Sequence, residues 1–223
     1  MSNPANLNFE YQDQNSRLWA LLTIFPIKNF LLIPHFIIIA ILGFITFFIG
    51  IIGLFAVLIK GEFPKSFEVY IINLYRRQWH ITSYLSCMTA KYPPFSHSKK
   101  SEYPAKLSFE HQKTSSRLWA FLTLISVKMI LLIPHFIILF VMQIVMAISM
   151  FLGILAVIIF GKHPRAFHKV IVKTQEYMFR INVYIFCLTD KYPGFPWQNK
   201  SQSGHGLSPQ EHLSKSINAG ENV

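Results

Sequence analysis

One apolar run, present twice, constrains this chain more than any other feature. From Leu18 to Ile59, and again from Leu118 to Phe160, the only side chains able to carry charge are one Lys and one His: Lys28 and His35, then Lys128 and His135. About 20 apolar residues suffice for a helix to cross a bilayer, so each run holds one very long crossing or two ordinary ones. The composition agrees, with 52% hydrophobic residues, 14% charged residues and 21 Phe among 223, too apolar for a soluble domain of this size. The expected class is an all-α integral membrane protein.

The two runs belong to a longer repeat with a constant offset of 100 residues. Phe9-Glu10 returns as Phe109-Glu110, and Ser16 to Ala20 returns as Ser116 to Ala120. Leu31 to Ile38 (LLIPHFII) recurs letter for letter as Leu131 to Ile138, and Gly61, Pro64 and Phe67 recur as Gly161, Pro164 and Phe167. Each copy closes on Thr-x-Lys-Tyr-Pro-x-Phe, at Thr89 to Phe95 and Thr189 to Phe195. Two copies of one unit are expected to pack about a pseudo-two-fold axis. The division that follows is a polar segment 1–16, a module 17–95, a polar linker 96–116, a second module 117–197 and a disordered tail 198–223 rich in Ser, Gly, Asn and Gln.

Charge decides how each run is expected to cross. The net charge is +11, and the Lys and Arg flank the apolar runs as they do in segments that meet anionic headgroups, with no basic stripe of the kind that binds nucleic acid. A single crossing per run divides the 21 basic residues almost evenly, 10 against 11, whereas a hairpin per run places all of them on one side, the cytoplasmic one, together with both termini. The hairpin is therefore the favoured arrangement, with a first helix from Arg17 to about Leu42, turns near Gly43 and Gln143, and bends at Pro34 and Pro134. Residues 1–16 lack the early positive charge of a signal peptide. Gly61 and Gly161 suit helix C-caps, and Pro64 and Pro164 then force a corner.

A helix of another kind follows, from about Ser66 to Met88 and Ala166 to Leu188. Phe67, Tyr70, Ile71, Leu74, Ile81, Leu85 and Met88 line one side of it, and Asn73, Arg76, His80 and Ser83 the other. The polar side is too charged for lipid, so an amphipathic helix in the headgroup plane, or a lid over the hairpin mouth, is expected.

This order of motifs, an Arg ahead of an apolar helix, Ile-Pro-His, Gly-x-x-Pro, an amphipathic helix and Tyr-Pro-x-Phe, resembles an uncharacterised bacterial membrane-protein family known only as a domain of unknown function. The resemblance covers residues 17–95 and 117–195. It implies tandem helical modules, a turn within the apolar run, a bacterial inner-membrane location and no established activity. The family's basic residue on the amphipathic helix corresponds to Arg76 or Arg77, while the second copy has Glu176 and Tyr177.

Candidate functional residues follow from these placements. Arg17, Arg76, Arg77, Arg117, Lys28 and Lys128 are candidates for headgroup contact, the lysines by extending their stems toward the basic side. Tyr92, Pro93 and Phe95, with Tyr192, Pro193, Phe195 and Trp197, form either a docking surface or an aromatic lock at the membrane interface. His35 and His135 are intramembrane candidates, as paired haem ligands or as caps for carbonyls freed by the prolines. Cys87 and Cys187 are expected as free thiols. No paired carboxylates, nucleophile context or phosphate loop emerges, and neither metal nor cofactor is implied. The expectation is a non-catalytic membrane scaffold or accessory subunit whose partners are anionic lipid and a membrane protein or second copy. The alternatives are a module that binds or transports lipid, and a haem-binding electron carrier through His35 and His135.

Overall fold

The computed structural model describes residues 5–12, 15–25, 27–95, 103–112 and 114–196. The expected disordered tail, 198–223, and Trp197 lie outside them. Residues 1–193 make one unit; from Gly194 onward the chain is a second, of which residues 194–196 are described.

Both halves build the same series. The first is β1 (Ala5–Phe9), α1 (Arg17–Ile24), α2 (Ile27–Lys60) and α3 (Lys65–Leu85). The second is β2 (Ala105–Phe109), α4 (Arg117–Leu124), α5 (Val127–Leu131), α6 (Ile133–Phe160) and α7 (Arg165–Ile185).

The apolar runs do not turn back on themselves, which corrects the hairpin. α2 is one helix of 34 residues, about 50 Å at 1.5 Å per residue, and it passes through Pro34 and Gly43 without interruption. A Cβ added at Gly43 would meet only open space, so no close approach requires glycine there. The runs break elsewhere: after Phe25 in the first, and in the second at Ile125–Ser126 and at Leu132, two residues before Pro134. Gln143 stays inside α6 and turns its amide to the Met178 sulfur at 3.5 Å. Both α2 and α6 are long and apolar enough to cross a membrane by length and composition.

One stripe of α2, Lys28, Leu32, His35, Thr46, Gly53 and Val57, is buried at helical spacing. The rest of its surface is open. Of the 40 large apolar side chains exposed among the described residues, 36 lie in 18–59 and 118–160, so the apolar exposure is concentrated on these runs.

α3 and α7 are the inner helices, which corrects the interfacial assignment. Ile71, Trp79, Ile81 and Tyr84 are buried on α3, but so are Glu68, Arg77, His80 and Ser83. The polar side faces the chain's own strands instead of headgroups. β1 and β2 pair antiparallel, with Leu7 opposite Leu107, so equivalent residues of the two copies meet on a local two-fold axis. Ala5, Leu7 and Phe9 point inward and Asn6 and Asn8 outward. Inside, Phe9 meets Trp79 edge-on at 6.1 Å and Phe109 meets Phe179 at 6.3 Å, in a core drawn from both halves. Segments read as a polar N-terminus and a linker thus form the central ribbon. Their alternation, ANLNF and AKLSF, is the strand period of two.

The copies also exchange arms. α1 packs on α6 and α4 on α2. The Asn15 N–H donates to Gly161 O at 3.0 Å, and the Ser115 N–H to Gly61 O at 2.9 Å. Gly61 and Gly161 hold φ of 76° and 72°, the left-handed C-cap that their sequence context implied. Gly153 allows the His163 ring to come so close that a Cβ there would overlap it.

Because each copy's first helix completes the other copy, neither half is expected to fold alone. Residues 1–97 and 98–223 expressed separately should be lost as aggregates, whereas co-expression should yield a complex that co-purifies through a tag on either piece.

Candidate functional site

The first turn of α2 aims Lys28 inward, and the structure repeats this arrangement at Lys128. Lys28 is 1% exposed, donates from Nζ to Tyr84 O at 3.1 Å, lies 3.4 Å from Cys87 Sγ and stands 4.4 Å over the Tyr84 ring. Thr23 Oγ1 contacts the same sulfur at 3.2 Å. Lys128 reaches Tyr184 O at 2.5 Å and Cys187 Sγ at 3.4 Å, with Thr123 at 3.2 Å from that sulfur. These lysines do not extend to a headgroup layer: burial against the carbonyl, thiol and ring holds them inside the fold.

Both cysteines are free and buried, in keeping with the expectation of thiols. They occupy the left-handed position just past α3 and α7, with φ of 55° and 56°. The next residues close a Schellman motif, Met88 N–H to Ser83 O and Leu188 N–H to Val183 O. Gly would fit this position without strain, and a side chain there costs about 1 kcal/mol. The thiol contacts with Lys and Thr offset that cost in both copies.

Arg17 and Arg117 are exposed, lying over Gly161 and Gly61 of the opposite copy, and remain open to headgroups. Arg76 and Arg77 serve the chain itself. Arg76 donates to Asn73 Oδ1 at 2.7 Å and Leu107 O at 3.4 Å, and Arg77 to Phe95 O at 3.0 Å. The divergent second copy compensates with Arg180, which binds Glu176 and donates to Ala5 O at 3.4 Å. His80 bonds Ala105 O, the equivalent carbonyl, at 3.1 Å.

The tyrosines act as locks. Tyr92 donates to Leu31 O at 2.7 Å and Tyr192 to Leu131 O at 3.2 Å, close to the prolines of the long helices, while Pro93 and Pro193 are buried behind them. Phe95 stacks on His35 at 4.2 Å. Phe195 falls in the second unit. Each ring nitrogen of His135 is taken by a tyrosine hydroxyl, Tyr177 at 2.6 Å and Tyr192 at 2.7 Å. His35, fully buried, faces Arg77 and Phe95 instead. Paired haem ligation does not fit these surroundings, since neither ring is presented to a space that could take the macrocycle. Among the described residues no cluster of three metal-ligating side chains occurs, and the recess by Lys28, Asn15 and Trp19 is too narrow for a ligand.

A further contact was not legible from the sequence. His163 and His168 are buried beneath β1, where Tyr11 donates to His163 O at 2.5 Å and packs on the His168 ring at 5.3 Å. In the other copy the matching positions are His111 and Glu68, bonded at 2.5 Å. His111 stands where the first copy has Tyr11, and Glu68 where the second has His168, so the pair becomes visible only once the extended segment is known to lie along the helix. Burial, helped by the charge of His163, pushes His168 down to about 4.

A family model described as Domain of unknown function (DUF4389) matches residues 25–97 and 123–198. No curated protein and no solved structure matches the chain.

Two outcomes test this geometry. A His held neutral in the folded state contributes stability that is complete above its unfolded value of about 6.5 and is lost as pH falls toward 4, so unfolding should ease by on the order of 2–3 kcal/mol over that range. His168→Phe should flatten that part of a stability profile measured in detergent. His135→Phe leaves the Tyr177 hydroxyl without its partner and should cost about 1–3 kcal/mol, whereas His35→Phe keeps the ring stack and should cost under about 1 kcal/mol, compared by thermal unfolding.

Proposed function

The chain belongs to this domain-of-unknown-function family as two tandem copies, and because membership carries no activity we propose from its architecture that it is a non-catalytic membrane scaffold or accessory subunit. The observation that carries this is the placement of its surfaces. Large apolar side chains face outward along α2 and α6, while Lys28, His35 and Cys87 and their counterparts Lys128, His135 and Cys187 are turned inward into the fold. Burying one Ile or Phe is worth about 1.5–3 kcal/mol, so dozens left in water would carry a penalty far above the stability of a domain. A bilayer removes that penalty. Arg17 and Arg117, exposed where the long helices end, suit anionic headgroups.

Such a subunit should stay with carbonate-washed membranes, the bacterial inner membrane by family resemblance. After mild solubilisation it should migrate with a partner, or a second copy, in fixed stoichiometry by crosslinking and native mass spectrometry. Recovery as a soluble protein, or as a monomer with no crosslinked neighbour at native expression, would refute the proposal.

A further inference from the structure

We infer that α2 and α6 lie along the plane of one anionic leaflet instead of crossing the bilayer, with the β-ribbon facing water. The inference rests on the membrane reading above and assigns the surface by which the chain meets lipid.

The molecule is layered along the whole length of its long helices. On one side of α3 lies α2, with Lys28 at Tyr84, Leu42 O accepting from the Tyr70 hydroxyl at 3.3 Å, and Gly53 against Phe63. On a different side of α3 runs the extended segment of the second copy. Ala105 meets His80, Leu107 O meets Arg76, His111 meets Glu68 and Ser115 meets Gly61. In the other copy Ala5, Tyr11 and Asn15 accompany Arg180, His163 and Gly161 in the same order, while Lys128, His135 and Gly153 belong to the α5 and α6 layer.

The outward side of those extended segments is polar. Asn6, Asn8, Glu10, Lys106, Ser108 and Glu110 are exposed, and the Lys106–Glu10 ion pair leaves its side chains 57% and 65% accessible. The ribbon has two strands, and the carbonyls of Ala5, Ala105 and Leu107 accept from Arg180, His80 and Arg76 on its inner side. Its two-fold axis passes between Leu7 and Leu107 and exchanges α2 with α6. Were those helices to cross, the axis would lie in the bilayer midplane and the ribbon would face hydrocarbon there. Glu10, Lys106 and Glu110 are exposed there, and each charge at that depth costs at least about 2.5–3.5 kcal/mol. Laid flat, the same molecule keeps every one of these groups in water.

The cations agree. Arg17, Lys60, Lys65, Arg117, Lys162 and Arg165 are exposed at the ends of α2 and α6, and no charged residue interrupts either helix between its ends. In the plane of the membrane this places basic groups around the rim of an apolar face, at headgroup depth, where anionic phospholipid complements them. It also keeps the basic residues in one compartment without a hairpin.

Glu62 and Lys162 mark opposite ends of the layer, since Ala20, Cys87 and Val157 bring the end of α6 beside the start of α2. Glu62→Cys and Lys162→Cys are introduced singly into the full-length chain, in which Cys87 and Cys187 are buried, and probed with a membrane-impermeant maleimide on sealed right-side-out and inverted vesicles. Labelling of both from the same side is expected, and Lys91→Cys with Lys191→Cys should repeat it from the same two ends. Labelling from opposite sides overturns the in-plane seat and leaves the membrane reading standing. Absence of the protein from carbonate-washed vesicles overturns both.

Discussion

The structure depends on covering polar groups that sit on its innermost helices. α3 and α7 carry Glu68, Arg76, Arg77, His80, His168, Glu176 and Arg180, which no apolar layer could accept without hydrogen bonds. The extended segments supply them to Glu68, Arg76, His80 and Arg180. Carbonyls of Ala5, Ala105 and Leu107 accept from guanidinium or imidazole groups, and His111 bonds Glu68. Each bond crosses from one copy to the other or to the segment between them, so satisfying the inner helices is the same act as joining the repeats. The exchange of α1 and α4, and the backbone bonds at Gly61 and Gly161, extend that union to both ends of the molecule.

A different balance governs the long helices. Each needs one stripe to pack and has nothing to cover the remainder, so their stability within the fold comes from a narrow seam of small or anchoring residues: Gly53 or Gly153, Val57 or Val157, and the buried lysines. The lysines deserve their place in that seam because each donates to a carbonyl at the end of the inner helix while its stem fills apolar space. The left-handed cysteines beside them are the local strain that this junction tolerates.

Much of the fold could be read from residues alone, for reasons that are local. The 100-residue offset announced two equivalent units, the Gly-x-x-Pro corner placed the ends of α2 and α6, and the 3.6-residue pattern located α3 and α7 to within three residues. What failed depended on distant neighbours. The helical wheel separates the apolar and polar sides of α3, but what covers the polar side is a strand 25 residues away in sequence for His80 of α3 and 175 residues away for Arg180 of α7. The direction of Lys28 turned on where Cys87 and Tyr84 would lie. Gly43 reads as a turn only when charge balance is weighed for helices that cross, and a helix with no charged residue between Lys28 and Lys60 gives no local sign of whether it continues. The strands were within reach, since ANLNF and AKLSF alternate, but five residues are a short signal beside forty apolar ones.

The central claim is that the greater part of each apolar run forms one long helix, α2 or α6, fastened along a single stripe. Spin labels at Ile27→Cys and Ile59→Cys, in the lipid-reconstituted protein, test it directly by pulsed dipolar spectroscopy. A continuous α2 places the two backbone positions about 48 Å apart at 1.5 Å per residue. A distance distribution centred below about 20 Å would mean that the run folds back on itself, and the layered body described here could not form.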